Sequence, residues 1–106
     1  MIYHGVTIPT GLSPEGERAA KTIVGLLVAD GIPTRDLVFH HPREWDGEDG
    51  VQSELVLVYE GSMAQPYFEY DYMCYEHIER MRLLLETQGV YTEACTSYYS
   101  AVYSMD

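Results

Sequence analysis

The chain has 106 residues and a formal net charge of −11, from 17 Asp and Glu against 6 Lys and Arg. That length predicts one domain, residues 1–106, large enough to bury a core. The acidic balance argues against nucleic acid and anionic membrane as direct ligands, since both would be repelled, and no apolar run nears the roughly 18 residues of a transmembrane helix.

In chain order, Ile2 to Pro9 predicts a first strand, with Ile2, His4, Val6 and Ile8 on one face. Ser13-Pro14-Glu15 predicts a helix start: Ser13 accepts from a free backbone N–H and Pro14 suits the first helical position. Ala19, Ala20, Ile23, Leu26 and Leu27 follow at helical spacing, and Gly31, Ile32 and Pro33 stop the helix, which is placed at about 14–30. Residues 33–50 predict a long connection, pinned to the core by Leu37-Val38-Phe39.

Val51 to Glu60 predicts a second strand, centred on the apolar run Leu55-Val56-Leu57-Val58. After a turn at 61–66, Tyr67 to Met73 predicts a third strand, with Phe68, Tyr70 and Tyr72 on one face and Tyr67, Glu69 and Asp71 on the other. A second helix is placed at about 74–88, with Tyr75, Ile78, Met81, Leu84 and Leu85 as its buried stripe. Tyr91 to Met105 is β-rich, with a bend expected near Thr96-Ser97. The order β-α-β-β-α-β fits an α+β domain of split βαβ type, with two helices on one face of an antiparallel sheet.

The charge is concentrated in one third of the chain. Glu44 to Glu79 holds ten carboxylates, Glu44, Asp46, Glu48, Asp49, Glu54, Glu60, Glu69, Asp71, Glu76 and Glu79, and no Lys or Arg. If Leu55, Leu57 and Tyr59 face the helices, strand alternation turns Glu54 and Glu60 outward. The same alternation puts Tyr67, Glu69 and Asp71 on that open face, and the loop with Glu44, Asp46, Glu48 and Asp49 extends it. These nine residues are the expected partner-binding set.

Catalytic and metal signals are thin. Cys74 and His77 stand at i, i+3, with Cys95 as a further ligand or nucleophile, but the spacing matches no zinc pattern. His40 and His41 are adjacent and point apart. Asp46, Glu48 and Asp49 around Gly47 and Gly50 do not meet the calcium-loop pattern. No nucleophile elbow or phosphate loop is present, so no catalytic residue and no cofactor is assigned. Two cysteines are too few for a disulfide scaffold, and with no signal sequence at Met1 the expected setting is cytoplasmic.

A non-enzymatic binding protein is therefore expected, its carboxylates and tyrosines engaging a basic protein surface such as that of a nucleic-acid-binding enzyme. In charge and size the chain resembles nucleic-acid mimics, among them phage inhibitors of CRISPR or restriction systems; the resemblance is not one of sequence. The competing readings are a small metal- or thiol-dependent enzyme and a homo-oligomer, for instance a homodimer, that buries its tyrosines.

Overall fold

The computed structural model describes residues 1–46 and 52–105. Strands β1 (Ile2–Tyr3) and β2 (Val6–Thr7) form a small hairpin. They are followed by α1 (Pro14–Ala29), β3 (Val38–His40), β4 (Leu55–Val58), α2 (Tyr75–Thr87), β5 (Val90–Ala94) and β6 (Tyr99–Ser104). The last four strands make one antiparallel sheet in the order β3-β4-β6-β5. The α+β class with an antiparallel sheet is as expected, but the strands come from partly different residues.

The expected first strand is broken in its middle. His4 and Gly5 both have positive φ, 50° and 82°, as a two-residue type I′ hairpin turn requires. Helix α1 follows its signals closely. Ser13 Oγ accepts from Gly16 N, and beyond Asp30 the Gly31 and Ile32 amides donate back to Val28 and Leu27 in a Schellman cap.

Leu37 and Phe39 are buried in the core, as expected, but Val38–His40 form an edge strand within the expected connection: Phe39 pairs with Leu57 across β3 and β4. The expected third strand does not form. Tyr67 to Met73 instead carries parts of two 3-10 turns, Gln65–Tyr67 and Tyr70–Tyr72, closed by Met73 at φ 56°. Pro66 explains the departure, since its ring removes a ladder donor and favours a turn. The β-rich C-terminal run, expected as one bent strand, is a hairpin of two strands whose turn falls at the expected bend.

Both helices share one core with a single sheet face. Phe39, Leu55, Leu57, Val90 and Val102 meet Ala20, Ile23, Val24 and Leu27 of α1 and Met81 and Leu85 of α2. On α2, Tyr75 and Leu84, expected in the buried stripe, are exposed. The opposite face, expected open and acidic, is closed and aromatic at its centre. Trp45 lies against His40 and Tyr99, with ring centroids 5.0 and 4.8 Å away, and Val56, Tyr99 and Ala101 are buried.

Asp30 joins the two helices to the turn between them. It accepts from Tyr67 Oη at 2.6 Å and from both terminal nitrogens of Arg80 at 2.9 and 2.7 Å. A carboxylate at a helix C-terminus opposes the helix dipole, and the guanidinium offsets this. The bonds from Arg80, then from Tyr67, hold the Asp30 carboxyl down at about 2. A depressed carboxyl stabilises the fold above its unfolded value near 4, and loses that contribution as pH falls from about 4 through about 2. Melting temperature should therefore drop across that window in the wild type, and Asp30→Asn should flatten that part of the profile.

Candidate acidic cleft

Three of the expected carboxylates converge at one end of the sheet. Glu60 leaves β4, Glu69 and Asp71 flank the start of the second 3-10 turn, and Ser97 and Tyr98 come from the β5–β6 turn. With Gln65 and Tyr72 they line a cleft of about 360 Å³. No Lys or Arg lines it among the described residues.

Local chemistry explains why the chain closes there. Gly61 takes φ 76° just after β4, and Ser62 Oγ caps the following turn by accepting from Ala64 N. The Tyr59 amide donates to Tyr98 O at 2.9 Å, binding the end of β4 to the hairpin turn. Tyr72 Oη donates to Gln65 Oε1 at 3.0 Å, and Gln65 Nε2 reaches Ser97 O at 3.5 Å. The walls are thus tied to one another.

Glu69 belongs both to the core and to this cleft. It is only 9% exposed and accepts from Tyr59 Oη at 2.8 Å. Ser100 Oγ lies 2.8 Å from the same phenol oxygen. A phenol has one proton, and Tyr59 gives it to Glu69, so Ser100 must donate to Tyr59. This buried relay fixes the Glu69 carboxylate. Burial, the first cause, pushes the Tyr59 phenol well above its usual range, with Glu69 adding to the rise, so it stays a donor.

The other expected residues are dispersed. Tyr67, placed on an outer face by strand alternation, is 2% exposed. It stacks on His77 with centroids 4.5 Å apart, and it lies in a turn, where alternation does not hold. Burial and the bond to Asp30 push its phenol up to about 12. Glu54 accepts from Ser13 Oγ at 2.6 Å at the start of α1 and lines a separate polar depression with His41 and Arg43. Glu44 and Asp46 are exposed beside the 3-10 turn Pro42–Glu44 and do not line the cleft. Glu48 and Asp49 lie outside the described residues.

Sequence reasoning missed Gln65, Tyr72, Ser97 and Tyr98. Tyr72 was expected inward but is 49% exposed at the cleft wall. Its signal was the Pro66 turn, which ends strand alternation before Tyr70.

Cys74 and Cys95 form no disulfide, and each Sγ approaches a nearby backbone carbonyl, that of Tyr72 or Glu93. Among the described residues no three His, Cys, Asp or Glu side chains are grouped to hold a metal. No described helix is long and apolar enough to cross a membrane. No protein-family model matches the chain, and no curated protein or solved structure matches it significantly.

The cleft suits a cation. Carboxylates at a partly desolvated site attract a guanidinium or ammonium more strongly than exposed ones do, and Arg can bond them in bidentate fashion. Tyr72 and Tyr98 also line the cleft, and aromatic rings attract cations.

Proposed function

We propose that this is a small, non-enzymatic acidic protein that binds a basic protein surface through the cleft of Glu60, Glu69 and Asp71. A nucleic-acid-binding protein is the matching partner class, because such proteins display Arg and Lys spaced for phosphates. A protein presenting carboxylates there competes with nucleic acid for the same groups. The observation that carries this reading is the convergence of three carboxylates and two tyrosines in a cleft that no base lines among the described residues.

The surrounding field supports the same reading. Ten acids without a base between Glu44 and Glu79 give a negative potential that steers a cationic partner. Glu44 and Asp46 then act at the rim, chiefly on the rate of association.

The first test is titration of isotope-labelled protein with a hexa-arginine peptide, followed by amide NMR shifts. Shifts should concentrate at Glu60, Gln65, Glu69, Asp71, Tyr72, Ser97 and Tyr98, and binding should weaken as salt rises. Shifts spread evenly over all acidic residues, Glu15 and Glu17 included, would reduce the effect to net charge and defeat the proposal.

A further inference from the structure

Beside the cleft, on the other side of the 70–72 turn, lies a second depression of about 230 Å³ between α2 and β5. Phe68, Tyr70, Ile78 and Met81 line it on one side, and Thr92 and Ala94 of β5 on the other. Tyr70, 63% exposed, stands at its margin. Arg82 also reaches it, but this cation is engaged by Glu79 and Glu86.

Strand β5 is an edge of the sheet. Its ladder to β6 shows which residues face outward. The Cys95 amide donates to Tyr99 O at 3.1 Å, and the Met105 amide to Gly89 O at 3.0 Å. In an antiparallel pair, bonded positions alternate. Gly89, Tyr91, Glu93 and Cys95 are therefore the residues bonded to β6. Val90, Thr92 and Ala94 turn their N–H and C=O groups to the open edge. Val90 is buried, which leaves Thr92 and Ala94 accessible. The two accessible residues that offer outward backbone thus both line the groove, together with Tyr91.

We infer that β5 accepts an extended segment of the basic partner as an added strand, with aliphatic side chains in the groove and basic ones on the opposite face. This deepens the reading proposed above and rests on it for the sign of the partner's charge. Strand addition supplies main-chain hydrogen bonds at Thr92 and Ala94, and alternate side chains enter the groove. Glu93, exposed on the other face of β5, meets the intervening positions of the added strand and favours Arg or Lys there. A second copy of this chain is the poorer occupant, because it carries −11 itself and would bring its own Glu93 to the edge.

The probe is the blocked peptide Arg-Val-Arg-Val-Arg. It should protect the Thr92 and Ala94 amides from hydrogen exchange. Thr92→Pro removes an outward donor without touching the ladder, and it should weaken binding at least tenfold. The same peptide N-methylated at its valines tests the same bonds with unaltered protein and should also bind at least tenfold more weakly. Arg-Ser-Arg-Ser-Arg should lose several-fold for want of groove contacts.

Equal binding of the N-methylated peptide would overturn the inference. If binding then still fell on replacing Glu60 and Asp71, the carboxylate reading would survive alone. If Glu-Val-Glu-Val-Glu bound as well as the arginine peptide, the basic partner would be excluded, and with it the inference as stated. A dimer of the protein alone that Thr92→Pro dissociates would assign the edge to a second copy, also overturning it.

Discussion

Tyr67→Ala should be among the most destabilising single substitutions in this protein, by about 3–5 kcal/mol, as large core truncations are. The ring is buried, stacked on His77, and its hydroxyl donates to the carboxylate of Asp30, the residue at the end of α1. Truncation opens a cavity and removes one of the ties between α1 and the turn before α2. Tyr67→Phe separates the two contributions. It keeps the ring and loses only the hydrogen bond, at a cost of about 1–3 kcal/mol to a charged acceptor. Chemical denaturation of the three proteins measures both. A loss from Tyr67→Ala under about 1 kcal/mol would mean the ring is not packed as described.

Gly16→Ala should destabilise the fold although alanine is the better helix former. A Cβ at Gly16 would stand 2.4 Å from the backbone oxygen of Glu54. That oxygen cannot rotate away as a side chain can, so α1 or the chain before β4 must move. Overpacking of this kind costs about 1–3 kcal/mol, more than the roughly 1 kcal/mol gained in helix propensity. Gly25, in the same helix, is the internal control: a Cβ there meets nothing within 4 Å. Gly25→Ala should stabilise the protein by about 0.5–1 kcal/mol. Opposite signs in thermal unfolding are the expected result.

The helices were legible because their stop and start residues act locally. Ser13, Pro14, Gly31 and Gly89 each do in the structure what their chemistry implies. The strands were legible only where the pattern was long. Val38–His40 is three residues, too short for alternation to show, and becomes a strand because Phe39 finds Leu57 across the sheet. Tyr67 to Met73 alternates well and is no strand, since Pro66 and the left-handed Met73 bound a pair of turns. That error carried into the site. Alternation placed Tyr67 beside Glu69 and Asp71 on one face, whereas the turns bury Tyr67 and bring Glu69 and Asp71 to Glu60. The charge concentration was readable from composition. The partners across the cleft, Ser97 and Tyr98, depend on a hairpin closing some 26 residues further along the chain and had no local signal.

Under the proposed function the cleft, rather than net charge, governs binding. Two double variants, matched in the charge they remove, test it by calorimetric titration with hexa-arginine at physiological salt. Glu60→Gln with Asp71→Asn strips the cleft. Glu15→Gln with Glu17→Gln strips an equal charge from the first turn of α1, where these acids pair with Arg18 and Lys21. The cleft variant should bind about tenfold more weakly, equivalent to about 1.4 kcal/mol, and the helix variant within about twofold of wild type. Equal losses in the two variants would overturn the proposed function and leave the acidic stretch as solvation alone.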